Sequence, residues 1–269
     1  MPELPEMETY KNLLLTRLVN QTISDVVINR EKSINVAPDK FKDMVIHKKI
    51  VSITRRGKYL IFDLGTGYNL LLHLMLGGLM YIGNDNDNPD RTKQIILSFG
   101  NTNLYFIGLR LGYLHLLTLQ QVEEELSKLG IDPLSKEYSL ETFRKVIRNK
   151  KGALKTTLQN QHLFPGIGNC YSDEICYEAK ILPTRKMFEL STQEQSQLYE
   201  AIQTVLKDAI QHGGYIEMPL FHNDTHTGGY DNRCMVYDCE GKSCKRCGSK
   251  IIKEIISSKK TFYCANCQI

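Results

Sequence analysis

The tightest constraint on the fold lies near the end of the chain. Cys244, Cys247, Cys264 and Cys267 form two C-x2-C pairs around a 16-residue spacer. Each pair can bring two thiolates to one side of an ion, and the four together suit a closed tetrahedral site. A closed set leaves no open coordination position, so the expected cofactor is one structural Zn2+ with no part in catalysis. Four buried reduced thiols are the alternative, and they would not need this spacing. Between the pairs, Ile251–Ile256 and Thr261–Tyr263 read as two strands joined by Ser257-Ser258-Lys259-Lys260. Residues 233–269 are therefore predicted to form a zinc-finger β-hairpin. Four of the eight cysteines, Cys170, Cys176, Cys234 and Cys239, lie outside this pattern. The first residues are acidic and proline-containing, unlike a secretory signal, so disulfides are not expected and a cytoplasmic location is.

Upstream, the hydrophobic period changes twice. Met7, Tyr10, Leu14 and Leu18 recur at helical spacing after Pro5. From residue 22 to 115 the pattern is that of short strands broken by Gly, Asn and Asp, as at Gly65-Thr66-Gly67 and Gly100-Asn101. From about residue 118 it becomes helical, and Ser191-Thr192-Gln193-Glu194 is a capping box for the longest helix. The fold class expected is multidomain α+β. An N-terminal helix and β-sandwich span 1–116, a helical domain 117–232, and the cysteine module 233–269.

At 42% hydrophobic, 24% charged and a net charge of +4, the composition permits a nucleic-acid partner without requiring one. The distribution of charge says more. Arg144, Lys145, Arg148, Lys150, Lys151 and Lys155 crowd a stretch with no acid, and Arg55, Arg56 and Lys58 form a second cluster. Gly166-Ile167-Gly168-Asn169 precedes a helix, where backbone N–H groups can meet a phosphate. A tight turn with an Asn cap would read the same way. At the other end, removal of Met1 would leave Pro2 with a free secondary amine beside Glu3. Such an amine can attack the C1′ aldehyde of an opened sugar, and a neighbouring carboxyl can move the protons. An ordinary helix start also accounts for Pro5 and the acidic residues.

Four motifs occur together: Pro2-Glu3-Leu4-Pro5-Glu6, Arg56-Gly57-Lys58-Tyr59-Leu60, Gly166-Ile167-Gly168-Asn169-Cys170-Tyr171-Ser172-Asp173-Glu174, and the four-cysteine finger. In this order the chain resembles the formamidopyrimidine-DNA glycosylase / endonuclease VIII family along its whole length. The resemblance implies a β-sandwich, a helix–two-turns–helix domain and a zinc finger acting as a monomer on double-stranded DNA with damaged bases or abasic sites. It implies excision of the base and cleavage of the abasic site by β- or β,δ-elimination. Pro2 is implied as the Schiff-base nucleophile and Glu3 as the acid/base. Glu6 matches an acid at the helix start, and Lys58 a lysine that contacts phosphate at the lesion. Lys155 and Asn169 match phosphate contacts from the helical domain, and Glu174 an acid within the DNA-binding helix that follows the glycine loop.

The chain departs from the family pattern where the family fills the gap left by the flipped base. His73-Leu74-Met75-Leu76 replaces a His-Leu-Gly-Met segment, and Leu109-Arg110-Leu111 replaces Arg-Arg-Phe. Leu76 and Leu111 can still act as apolar wedges. Leu109 cannot hydrogen-bond the orphaned base, and Arg110 is the nearest substitute. Lys259 stands where the finger usually has an arginine, which keeps the charge and loses the bidentate fork. These departures frame a second reading, a lesion-binding protein on the same scaffold that does not excise bases. A zinc-finger transcription regulator, a third possibility, has no use for Pro2-Glu3 or Lys58.

Overall fold

Residues 1–269 are described by a computed structural model, in which the chain separates into two units. The first comprises Met1–Pro2, Glu6–Lys128 and Ile216–Gly229; the second comprises Glu3–Pro5, Leu129–Tyr215 and Tyr230–Ile269.

In the first unit, helix α1 (Leu4–Leu18) buries Met7, Tyr10, Leu14 and Leu18, the stripe its sequence spacing predicts. The strands are β1 (Asp25–Ile28), β2 (Ser52–Arg56), β3 (Tyr59–Asp63), β4 (Tyr68–His73), β5 (Leu79–Gly83), β6 (Lys93–Phe99), β7 (Thr102–Ile107) and β8 (Tyr113–Thr118). They make two antiparallel four-stranded sheets, ordered β1-β6-β7-β5 and β2-β3-β4-β8. Leu60, Phe62, Leu70 and Leu72 from one sheet share a core with Ile95, Leu97, Leu104 and Phe106 from the other. Each such side chain contributes about 1.5–3 kcal/mol by leaving water, and the pairing makes a β-sandwich. Helix α2 (Pro38–Val45) opens on a proline, whose missing N–H costs nothing at a first turn. Helix α3 (Leu119–Leu126) starts with a Thr118/Gln121 capping box. It belongs to this unit, whereas the sequence pattern assigned it to the helical domain. Strands β5 and β8 and helix α2 are elements beyond those predicted from the sequence. Strand β5 follows the Gly77-Gly78 turn directly, and β8 runs straight into α3.

In the second unit, α4 (Leu140–Ile147), α5 (Leu154–Leu158), α6 (Asn169–Glu178) and α7 (Thr192–Gln211) enclose a separate core. Side-chain caps from Ser139 and Ser191 start α4 and α7. Residues Cys170 to Tyr177 of α6 are all buried. A helix buried all round must satisfy its polar side chains internally, and Asp173 and Glu174 do so. The unit ends in the hairpin β9 (Ile252–Ile256) and β10 (Lys259–Tyr263), which turns at Ser257 and Ser258 with φ of 50° and 63°. No helix of the chain is long and apolar enough to cross a membrane.

Candidate active site and metal centre

Within the second unit, the N-terminal residues Glu3–Pro5 lie against the start of α6. The Leu4 N–H donates to the Gly166 carbonyl at 2.9 Å. The Glu3 carboxylate accepts from the Gly168 N–H at 2.5 Å and from the Cys170 N–H at 3.0 Å. The positive end of α6 thus holds a carboxylate from the protein itself. The Gly168 and Cys170 N–H groups are thereby taken by Glu3, which leaves the Asn169 side chain as the loop's remaining group for a phosphate. The loop's glycines allow close approach of the N-terminus: a Cβ on Gly168 would lie 2.4 Å from the Glu3 carboxyl carbon, and one on Gly166 2.5 Å from Leu4 Cβ. Gly166 also has a φ of +98°, which a side chain would resist.

In the first unit, Pro2 and Glu6 are buried, Glu6 completely. The β2–β3 turn that carries Lys58 is pinned to α1. Arg55 donates from Nε to the Glu8 carboxylate at 2.6 Å and from a terminal nitrogen to the Gly57 carbonyl at 3.2 Å, and Lys11 also binds Glu8. Burial would raise the Glu8 pKa, but hydrogen bonds from Lys11 and Arg55 outweigh it and hold Glu8 low. Lys58 is 7% exposed. Nearby, His73 stacks on Tyr59 with ring centroids 4.3 Å apart, and Tyr113 flanks its other side at 5.9 Å. Burial first, and the Lys58 charge second, push the His73 pKa down to about 4. In the sequence His73 stands out only as part of the His73–Leu76 motif; cross-strand pairing of Tyr59, His73 and Tyr113 makes it a neighbour of Lys58.

The wedge segments are adjacent turns of the first unit. A Cβ on Gly108 would meet the Gly77 carbonyl oxygen at 2.2 Å, and one on Gly112 the His73 carbonyl oxygen at 2.5 Å. Leu76 and Leu111 are 67% and 63% exposed, and Arg110 is exposed with its carbonyl bonded to Arg30. Leu109 points the other way, fully buried in the sandwich core.

Two residues expected at the DNA surface are interior. Lys155 is 1% exposed, and its Nζ donates to both Asp173 carboxylate oxygens, at 2.7 and 2.8 Å, and to the Lys260 carbonyl at 2.7 Å. All three ammonium protons are used, so Lys155 fastens the hairpin to α6 and has none left for a phosphate. Glu174 is likewise buried and accepts from the Met235, Val236 and Tyr237 N–H groups at 2.8–2.9 Å. Its role is to fix the backbone of 235–237. Asn169 and Lys259 do come together through a residue that no sequence motif singles out. Lys259 Nζ donates to Gln159 Oε1 at 2.6 Å, and Gln159 Nε2 donates to Asn169 Oδ1 at 3.2 Å. Lys259 is exposed and Asn169 half-buried.

The four sulfurs of Cys244, Cys247, Cys264 and Cys267 lie within 4.8 Å of one another. The Cys244–Cys267 and Cys247–Cys264 separations are 3.8 and 3.6 Å. A tetrahedron of about 2.3 Å metal–sulfur bonds has edges of about 3.8 Å, so the set fits a divalent ion. The Arg246 N–H and the Tyr177 hydroxyl sit 3.4 and 3.3 Å from Cys244 Sγ, and Arg246 covers the Tyr177 ring at 4.0 Å. These contacts orient a ligand sulfur from outside.

A buried N-terminal Pro-Glu pair, a β-sandwich, an α-helical unit with a four-thiol hairpin and an exposed Lys259 define a class of DNA-processing enzyme. The Formamidopyrimidine-DNA glycosylase N-terminal domain matches residues 1–113, its H2TH domain residues 129–218, and the zinc finger found in FPG and IleRS residues 241–269. The formamidopyrimidine-DNA glycosylase of Pelotomaculum thermopropionicum is 33% identical over 100% of this chain and 99% of its own. That of Listeria monocytogenes is 32% identical over 100% of both. Among solved structures, the Lactococcus lactis Fpg in complex with abasic-site DNA superposes with a TM-score of 0.92 at 29% identity, over 99% of each chain. The same protein with N7-benzyl-Fapy-dG DNA gives 0.92 at 30% identity, again over 99% of each chain. The chain belongs to the formamidopyrimidine-DNA glycosylase family. It is a DNA glycosylase and AP lyase.

Proposed function

We propose that Pro2, once Met1 is removed, is the nucleophile, and that Glu3 is the acid/base beside it. The observation that carries this reading is the anchoring of the Glu3 carboxylate by two N–H groups at the start of α6. It fixes the residue bonded to Pro2 in one place, as a proton-transfer group requires. The Pro2 nitrogen attacks C1′ of the damaged nucleotide, the base leaves with a proton, and Glu3 protonates the opening sugar oxygen. The resulting iminium acidifies C2′. Loss of that proton expels the 3′ phosphate, a second elimination expels the 5′ phosphate, and water releases Pro2. Glu6, buried at the helix start, shapes the field around the amine. Lys58 holds a phosphate next to the lesion, and His73, kept neutral by its burial and by the Lys58 charge, braces the strands beside it by stacking on Tyr59. Lys259 and Asn169, linked through Gln159, contact the backbone further along.

The substrates fit those named for the Lactococcus lactis protein, which has been solved with abasic-site, Fapy-dG and oxidised-pyrimidine DNA. Leu76 and Leu111 fill the space of the flipped base. With Leu109 in the core, no side chain from that position pairs the orphaned base, and the preference among opposite bases is weak. The four cysteines hold one structural Zn2+, whose closed coordination keeps it out of the reaction. The enzyme works inside the cell as a monomer on chromosomal DNA.

The test is borohydride trapping on duplexes carrying formamidopyrimidine, 8-oxoguanine, dihydrouracil or an abasic site, each opposite all four bases. The intact mass of the protein is measured alongside to verify loss of Met1. Covalent adducts are expected, lost in Pro2→Gly and varying little with the opposite base. Absence of any adduct from Met1-free protein would refute the Pro2 assignment. Chelation is expected to release one Zn2+ and to unfold the hairpin, read by a metal-sensitive dye and by hydrogen exchange over 241–269.

A further inference from the structure

A cleft of about 330 Å³ opens on the second unit, apart from every residue assigned above. Arg144, Lys145 and Arg148 of the α4 segment line it, facing Phe188. The basic run noted in the sequence is therefore not spent on the active site; half of it surrounds this cleft. Lys145 is 73% exposed and pairs with Glu141 at 2.7 Å, the one acid of the cleft. Arg148 is exposed and makes no ion pair. Arg144 is held in place by the Ser196 hydroxyl at 3.0 Å and the Thr192 carbonyl at 3.4 Å. Its Nε is buried and has no hydrogen-bond partner. The anchored guanidinium presents its outer edge, and not the buried Nε, to a phosphate oxygen in the cleft.

Phe188 identifies the rest of the ligand. Its ring is 57% exposed, while the apolar floor beneath, Ile147 and Met187, is 3% and 1% exposed. The cleft presents an exposed aromatic ring beside positive charge, one part of it anchored at Arg144, the combination that grips single-stranded nucleic acid through base stacking and phosphate contacts. We infer that this cleft is a second nucleic-acid site, which binds a short single-stranded DNA segment by stacking a base on Phe188 and by receiving its phosphates at Arg144, Lys145 and Arg148.

The experiment separates this site from the catalytic one by filling the latter. Zinc-loaded protein is saturated with a duplex bearing an uncleavable abasic-site analogue, and a short fluorescent single-stranded oligonucleotide is titrated in while anisotropy is read at several salt concentrations. Second-site binding is expected. Phe188→Ala should weaken it about tenfold with the salt slope unchanged, and Phe188→Tyr, which keeps the ring, should bind normally. Lys145→Gln with Arg148→Gln should reduce the slope by about 1.4, two phosphate contacts on a single strand. Borohydride trapping on an abasic duplex should be unchanged in all of them, so a failure of the catalytic reading registers separately. No second-site binding, or binding indifferent to all these variants, would overturn the inference. So would capture of a Glu-rich, Phe-containing peptide by the same residues in place of the oligonucleotide, which would assign the cleft to a protein partner.

Discussion

Gly168→Ala would place a methyl group 2.4 Å from the Glu3 carboxyl carbon, so the carboxylate would have to swing off the Gly168 and Cys170 N–H groups that hold it. We predict that this substitution and Glu3→Gln both lower base excision by about a hundredfold or more. Glu3→Gln should leave trapping on a preformed abasic site largely intact, because that sugar is already open for part of the time. Single-turnover excision against trapping yield distinguishes the two steps. His73 gives a second residue-scale prediction. Its folded pKa of about 4 lies below the ordinary histidine value of 6.5, chiefly through burial. Between those values the unfolded chain binds more protons, so stability should fall as pH drops from 6.5 towards 4 and then level off. The shift corresponds to about 3–4 kcal/mol as an upper bound. Urea denaturation at pH 7, 5.5 and 4.5 should show this decline, and His73→Gln should flatten it. The Pro2-Glu3 pair was legible in the sequence because its chemistry needs only adjacency. His73 was not, because its neighbours Tyr59 and Tyr113 become so only through strand pairing.

Among the elements, α6 shows most clearly how a motif can mislead. The run Asn169–Glu174 has the residue types of a DNA-binding turn, yet Asp173 and Glu174 turn inward to hold β10 and the 235–237 backbone. Lys155→Met should leave the Asp173 charge buried without its partner and cost about 3–5 kcal/mol. Removing both charges in Lys155→Met/Asp173→Leu should recover part of that loss. Urea denaturation of the three variants measures the coupling, and a Lys155→Met as stable as the parent would show that the pair is not a fastening. Capped, amphipathic elements such as α4 and α7 could be read from sequence because their signals are local. Strands β5 and β8 could not, since their place in the sheets depends on partners far along the chain.

Across the whole molecule, the segment Ile216–Gly229 groups with the β-sandwich, although the chain on either side of it belongs to the other unit. Leu220 is fully buried in the sandwich core, its carbonyl accepts from the Ile82 N–H at 2.6 Å, and Arg17 covers the Phe221 ring at 3.7 Å. Leu220→Ala should cost about 2–5 kcal/mol, and hydrogen exchange should show reduced protection in β5 and its neighbours. Unchanged protection there would mean that the segment is dispensable to the sandwich. By itself the sequence determined the order of the modules, the metal-binding thiols and the N-terminal Pro-Glu pair, because each is a matter of local spacing and residue type. Only the tertiary structure decided that the glycine loop receives Glu3, that Lys155 and Glu174 are internal fastenings, and that Leu109 has left the surface. Those outcomes depend on which groups burial brings together and on which of them must then find a partner.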